Sequence, residues 1–287
     1  MASSEQSNIT TQSLDTNKIT TLIFDVDDTL YDVGTGFTAH RNGEGAQSFM
    51  VAKLGFPDMQ SAKTVRDSYF ERFHSTAKAL TVAEEEGKFP YQTSTSSNGD
   101  GEIVNKKTFV TKDLSKWWAE NLNFTILGGP DPKLVSMLES CPLDLVAFSN
   151  GPRLYVLRVL KEIGLDHVFP PERVFAVDDV LPYCKPEKKA FQIIMDAVGV
   201  KDPSECIMVE DSMKNVRAAK ELGMGTCLIA GLGRLGKNMS KDTQSLADQA
   251  EATKPGDAPD STDDAVDVCV EVVSEMQAAL PQLWKTR

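Results

Sequence analysis

The segment Thr20-Thr21-Leu22-Ile23-Phe24-Asp25-Val26-Asp27-Asp28-Thr29 restricts this chain more than any other. An apolar run bounded by polar residues on both sides suits a strand buried on both faces of a parallel sheet. Its end carries three carboxylates in four residues. In an open α/β sheet, ligands bind beyond the carboxyl ends of the strands, where this cluster falls. Asp25 and Asp27 are two residues apart, and a chain leaving a strand there can curl so that both carboxyls face one pocket. Such crowding is repulsive unless compensated, and a hard divalent cation is the usual compensation. The same residues also suit an acidic turn or an Asx cap, so the segment alone leaves both readings open.

Four further runs have strand character: Leu143 to Phe148, Arg173 to Val177, Cys206 to Val209 and Thr226 to Ala230. Between them, Pro152 to Gly164, Pro186 to Val198 and Ser212 to Leu222 carry apolar residues at helical spacing. Strands alternating with helices of this length predict an α/β fold: a doubly wound, Rossmann-like parallel sheet. Between Tyr31 and about Pro132 the pattern turns mainly helical, over Phe37 to Leu54, Ala62 to Leu80 and Leu114 to Leu122. About a hundred residues are too many for an ordinary βα loop of roughly 2–6 residues. The expected organisation is therefore a polar, disordered tail over 1–19, a core formed by 20–32 and 132–287, and a helical inserted domain over 33–131. Within these, a loop is expected at Gln92 to Asp100 and a disordered surface insertion over 241–264. Apolar character resumes at Ala265 to Val273, and Ser274 to Trp284 reads as a closing helix.

Among the 287 residues, acids outnumber bases and the net charge is −12. An acidic surface of that size argues against nucleic-acid polymers and anionic membranes as partners, though a cleft of local positive charge can still take a small anion. No stretch approaches the roughly 20 apolar residues of a membrane span, so a soluble chain is expected. The N-terminal residues lack the apolar segment of a secretory signal, and cytoplasmic residence follows by default, with the nucleus left open. The five cysteines are far apart, odd in number and form no C-x-x-C pair, as for buried, reduced thiols.

Three more polar segments fall at or near later strand ends. Phe148-Ser149-Asn150-Gly151 offers a hydroxyl, an amide and a turn glycine suited to phosphate oxygens, or simply a turn. Cys184-Lys185-Pro186 places a cation before a helix, where proline is also a capping habit. Val209-Glu210-Asp211-Ser212 offers two acids of metal-binding type that equally serve as helix caps. Each has an ordinary explanation; their ordered recurrence at strand ends points to one site.

Together these residues resemble the haloacid dehalogenase-like hydrolases, whose members are mostly magnesium-dependent phosphatases. Asp25-Val26-Asp27-Asp28-Thr29 is similar to the family's first motif, Ser149 to its second, Lys185 to its third and Glu210-Asp211 to its fourth. The likeness covers about 20–32 and 132–235, and the insertion between the first two motifs resembles the family's helical cap. What the resemblance implies is phosphoryl transfer through an aspartyl-phosphate. Asp25 would be the nucleophile and Asp27 the general acid and base. Mg²⁺ would be held by Asp25, the Asp27 carbonyl and Asp211, with Glu210 bound directly or through water. Ser149, Asn150 and Lys185 would bind the phosphate, and Thr29 would orient the first-motif loop at the substrate.

Asp27 sets the chain apart from the family's dehalogenases, which lack an acid there, and from its transporting ATPases, which carry Thr; a phosphomutase stays open. The opening motif through Tyr31 and the later Pro130-Asp131-Pro132-Lys133-Leu134 look similar to plant and fungal pyrimidine 5′-nucleotidase-type proteins. The expected partner is thus a small phosphorylated metabolite, a nucleoside 5′-monophosphate first. A sugar phosphate is the alternative, and a non-catalytic regulator the reading of another class. Ser149-Asn150 and Glu210-Asp211 depart from the usual Thr-Asn and Asp-Asp of those nucleotidases. Aromatic side chains within 33–131 would serve a nucleobase, whereas Asn, Gln, Arg or Ser there would serve a hydroxylated leaving group. Trp117-Trp118 is expected to pack one ring in the core. His40, His74 and His167 show no metal spacing, and Asp257 to Asp264 reads as a solvated acidic stretch rather than a calcium loop.

Overall fold

The computed structural model describes residues 14–90, 93–95, 101–103, 108–235 and 257–285. Strand β1 (Thr21–Phe24) is buried throughout and lies mid-sheet, as its apolar run requires. It pairs in parallel with β4 (Asp144–Phe148) on one side and β6 (Cys206–Glu210) on the other. Adding β5 (Val174–Phe175), β7 (Gly225–Ile229) and β8 (Val268–Val270) gives a six-stranded parallel sheet of order β5-β4-β1-β6-β7-β8. Side chains alternate across a strand, and the two faces of this sheet feed different clusters. Leu22 and Phe24 join one with Val156, Val159 and Leu160 of α7 (Arg153–Glu162). Ile23, Val146, Phe148 and Met208 join another with Phe191 and Ile194 of α9 (Lys188–Val198) and Ala219 of α10 (Met213–Glu221). Helices on both faces make the sheet doubly wound, as the alternation of strand and helix patterns predicts.

Between β1 and β4 the chain is mainly helical. It runs through α1 (Phe37–His40), a π-helical turn (Arg41–Gly45), α2 (Ala46–Leu54), α3 (Met59–Phe73), α4 (Thr76–Glu85) and α5 (Thr111–Asn121). Asp58 caps α3 by accepting from Ser61 N, and Ser75 caps α4 by accepting from Lys78 N. The reversal between these helices passes through His74 at φ +50°. Helix α6 (Pro132–Glu139) then leads back to the sheet. Phe37, Phe49 and Trp118 of the insertion belong to the same apolar cluster as Phe24 and Tyr155 of the sheet side. Trp118 meets Tyr155 edge to face with ring centres 5.3 Å apart. The insertion is thus packed down on the carboxyl ends of the strands.

Several local expectations change. Leu14 to Ile19 are not a loose tail: Ile19 is fully buried and Leu14 packs over Gly225. Residues 1–13 lie outside the described residues. The loop expected at Gln92 to Asp100 contains β2 (Thr93–Thr95), paired antiparallel with β3 (Gly101–Ile103). The strand expected over Arg173 to Val177 is shorter, because the chain turns at Ala176 into α8 (Val177–Val180), where Ala176 N donates to Asp179 Oδ2 at 2.8 Å. The closing helix is broken into α11 (Met276–Ala279) and a 3₁₀ turn (Pro281–Trp284), since Pro281 has no N–H to continue the ladder. Of the insertion expected over 241–264, residues 241–256 lie outside the described residues, and 257–264 are mostly exposed but tied to the core at Asp257 and Asp263. There Asp257 accepts from Ser212 Oγ at 2.5 Å and Lys214 N at 3.0 Å, and Asp263 pairs with Arg217 at 2.9 Å. All five cysteines are free thiols. Among the described residues, no helix is long and apolar enough to cross a membrane.

Candidate active site

Strand register builds the site. Phe24 lies level with Ala147 on one neighbour and Val209 on the other, so Asp25, Phe148 and Glu210 leave the sheet edge side by side. Lys185, in the segment before α9, reaches this edge with 1% of its surface exposed. Its Nζ donates to Asp25 Oδ1 at 2.6 Å, Glu210 Oε2 at 2.8 Å and Phe148 O at 2.8 Å. Asn150 fixes the lysine's backbone: its Oδ1 accepts from Lys185 N at 2.9 Å and its Nδ2 donates to Lys185 O at 2.8 Å. Gly151 N donates to Ser149 Oγ at 2.9 Å, and a Cβ at Gly151 would stand 2.9 Å from the Tyr155 ring, which explains a glycine there.

One carboxylate oxygen each from Asp25, Glu210 and Asp211 lie within 4.8 Å of one another. Burial pushes the Asp25 carboxyl up to about 6; Lys185 opposes the rise, while Asp211 and Asp27 add to it. Burial and Asp25 likewise raise Glu210 well above the usual carboxylate range, against Lys185. Hard oxygen donors that repel one another in this way are what a small divalent cation relieves. Glu210 is also engaged otherwise, since its Oε1 accepts from Ser212 N at 3.2 Å.

Asp27 has a different environment. Its Oδ1 accepts from Tyr31 OH at 2.7 Å and from Tyr155 OH; its Oδ2 accepts from Ser149 Oγ at 3.2 Å and pairs with Arg41 Nη1 at 2.5 Å. Burial alone would raise this carboxyl, but Arg41 and the two tyrosines outweigh it and hold Asp27 below the usual range. The Arg41 guanidinium lies over the rings of Trp118 and Tyr155 at 5.5 and 5.2 Å, which keeps it aimed at Asp27. One sheet edge therefore carries two acids two residues apart, one driven toward its neutral form and one held ionised.

A sequence model of the haloacid dehalogenase-like hydrolases matches residues 19–223. The chain belongs to this family. Among curated relatives, a CBBY-like protein of Arabidopsis thaliana is 34% identical over 96 residues, which is 30% of this chain and 29% of that protein. Phosphate metabolism protein 8 of Saccharomyces cerevisiae is 22% identical over 212 residues, 70% of this chain and 59% of the yeast protein. The chain thus spans less than two thirds of either relative. A HAD phosphatase from Thermococcus onnurineus superposes with a TM-score of 0.52 at 19% identity, covering 91% of this chain and 98% of that one. L-2-haloacid dehalogenase from Xanthobacter autotrophicus superposes with a TM-score of 0.51 at 17% identity, covering 92% and 98%. At such identities the likeness is one of fold, and it embraces both phosphatases and dehalogenases.

Most residues singled out in this haloacid dehalogenase-like sequence converge. Asp25, Asp27, Asn150, Lys185, Glu210 and Asp211 line one cleft of about 50 Å³. Ser149 sits behind it, fully buried against Asp27. Thr29, expected at the substrate, is not brought there: with Asp28 at φ +61° the chain turns away, and Thr29 lines a separate cleft with Leu127 and Leu134. Other lining residues had no local signal. Arg41, Phe70 and His74 come from the insertion, and Asn215 and Asp257 from the core. Tyr31, four residues after Asp27, was within reach of inspection; Arg41 and Tyr155 were not, because neither belongs to a motif and Tyr155 is 128 residues away.

Proposed function

We propose that this hydrolase is a Mg²⁺-dependent phosphomonoesterase acting on a small phosphorylated metabolite through an aspartyl-phosphate. The observation that carries the reading is the pairing of a three-carboxylate cluster at Asp25 with a second, separately held acid at Asp27. Displacement of halide needs neither, because a halide leaves as a stable anion without a proton. An alkoxide leaving group does need a proton, and a dianionic phosphate does need its charge offset.

In this reading one Asp25 oxygen attacks phosphorus, the bond to the ester oxygen breaks, and that oxygen takes a proton from Asp27. Water then loses a proton to Asp27 and attacks the same phosphorus, releasing inorganic phosphate and restoring the Asp25 carboxylate. Lys185 neutralises charge beside the nucleophile, and Asn150 holds it in place. A cation held by Asp25, Asp211 and the Asp27 carbonyl would offset the repulsion between nucleophile and phosphate. As the molecule stands Asp27 is ionised, ready to accept a proton from water. For the first step it must gain one, which the arrival of a dianion favours by drawing the Arg41 charge toward phosphate. A small metabolite, rather than a nucleic-acid polymer or membrane, also agrees with the net charge of −12.

Nucleoside 5′-monophosphates have less support than a smaller ester. Trp118 is 1% exposed and its indole N–H donates to Gly45 O at 3.1 Å, so its ring serves packing. Among the described residues of the insertion, Phe70 lines the Asp25 cleft, and the guanidinium of Arg66 already stands 3.9 Å over its ring. Incubation with a panel of phosphomonoesters should release inorganic phosphate with Mg²⁺ and cease with a chelator. Turnover that ignores the chelator would remove the metal from the mechanism, and phosphate shuttled between positions without release would make the chain a mutase. Mg²⁺ should also raise the thermal midpoint of the wild type and not of Asp211→Asn, because relief of carboxylate repulsion stabilises only an intact site.

Asp27→Asn should phosphorylate Asp25 slowly from aryl phosphates and stall at hydrolysis. Rates on alkyl phosphates should fall by about 10²–10⁴-fold. Normal turnover of an alkyl ester by that variant would place acid–base catalysis on another residue.

A further inference from the structure

Beside the Asp25 cleft, the insertion encloses a second one of about 430 Å³, and Phe70 and His74 line both. Two of its side chains are buried with donors that have no partner. Arg66, on α3, is 4% exposed; its Nη1 donates to Asp67 Oδ1 at 2.9 Å, whereas Nε and Nη2 meet no acceptor. Asn42, on the π-helical turn, is 1% exposed; its Oδ1 accepts from Arg41 Nε at 3.3 Å, whereas Nδ2 meets none. Buried polar groups are nearly always satisfied, and a guanidinium left half-bonded is costly to keep. Stacking on Phe70 fixes the plane of the Arg66 fork, and burial, with Arg41 near by, draws the Arg66 pKa below its usual value. Asp67 does not complete the pairing, for it is shared with Lys63 at the rim. The unmet groups are all donors, so their complement is an acceptor-only group with several oxygens.

We propose that Arg66 and Asn42 bind a second anionic group, a carboxylate or phosphoryl, on the leaving group of the substrate. The substrate class is then the phosphomonoester of a small hydroxy acid, or a bisphosphate. This rests on the phosphomonoesterase reading and deepens it. Phe70 and His74 line both clefts, and in this proposal a short leaving group joined to the phosphate at Asp25 extends past them to Arg66. Asn42 follows Arg41 on the same π-helical turn and lines the second cleft together with Arg66.

The test compares kcat/KM for three esters of one chain length: propyl phosphate, 3-phosphooxypropanoate and propane-1,3-diyl bisphosphate. In the wild type one or both of the doubly anionic esters should exceed propyl phosphate by about tenfold or more, and which of them does tells carboxylate from phosphoryl recognition. Arg66→Met should bring that ratio within about twofold of unity, Arg66→Lys should keep part of it, and Asn42→Leu should reduce it independently. A wild-type ratio near unity overturns the proposal, as does a ratio that survives both Arg66→Met and Asn42→Leu. Calorimetric titration with malonate separates the remaining cases. If no ester is hydrolysed at all, the phosphomonoesterase reading fails, and malonate binding abolished by Arg66→Met sustains the anion site, while absence of binding removes it. If malonate binds through Arg66 but the three esters are cleaved alike, the site serves a free anion and its assignment to the leaving group is wrong.

Discussion

Asp25→Asn should leave a folded protein with essentially no turnover, lower by about 10⁴-fold or more, the scale expected when a covalent nucleophile is lost. The substitution conserves volume and removes a negative charge from a place with too many. Asp25 is 5% exposed and carries a carboxyl that burial pushes up to about 6, so the parent spends stability to keep it ionised at neutral pH. Lys185 retains Glu210 and Phe148 O as partners in the variant. The thermal midpoint should therefore be unchanged or higher above pH 6, while Mg²⁺ no longer raises it. Unfolding of this variant, or retention of more than a few per cent of activity, would contradict the placement of Asp25 as nucleophile within a repulsive cluster.

Lys185→Met should have the larger effect on stability. It deletes a cation bonded to both Asp25 and Glu210 and leaves Phe148 O without its donor. Removing one partner from a buried ionic cluster costs about 3–5 kcal/mol. The pH dependence follows from the direction of the shifts. Asp25 and Glu210 are already raised above their unfolded values, and without Lys185 both rise further. A carboxyl whose folded pKa lies above its unfolded value adds stability at low pH that disappears as pH climbs through the folded pKa. The deficit of Lys185→Met relative to wild type should thus be largest near pH 8 and shrink toward pH 5.5 as both carboxyls take up protons. Urea unfolding at the two pH values measures it, and an equal deficit at both would show that the lysine acts through packing rather than charge. Hydrolysis of all phosphomonoesters should fall together, since Lys185 lies at the nucleophile and not at the leaving group.

What could be read from the sequence is what is local. Leu22 to Phe24, Val146 to Phe148 and Ile207 to Val209 are apolar runs because each is buried on both faces, and a polar residue at the end of such a run marks the sheet edge. Asp25, Ser149 and Glu210 are adjacent to their strands in sequence, so their convergence follows from parallel pairing alone, and Lys185 follows from its place before a helix that covers the sheet. The family and the doubly wound fold were legible for the same reason.

Contacts between distant segments were not. Arg41 and Tyr155 reach Asp27 from 14 and 128 residues away and belong to no periodic pattern; that they hold it ionised depends on how the insertion packs on α7. Asp257 looks like solvated acid in composition, yet it is buried and accepts two hydrogen bonds near the start of α10. Leu14 and Ile19 are isolated apolar residues in a polar stretch, and only the tertiary structure shows that Leu14 packs beside Gly225 and Ile19 joins the core. Thr29 is next to three site-like acids but is turned away by the backbone at Asp28. In Arg66 and Asn42 the decisive quantity is an unmet hydrogen bond, a property of the surroundings rather than of the residue. Composition and periodicity report which surfaces leave water and so determine the strands and their ends; which side chains then face one another is decided by the packing of elements far apart in the chain, and the electrostatics of Asp27 and the specificity of the second cleft arise there.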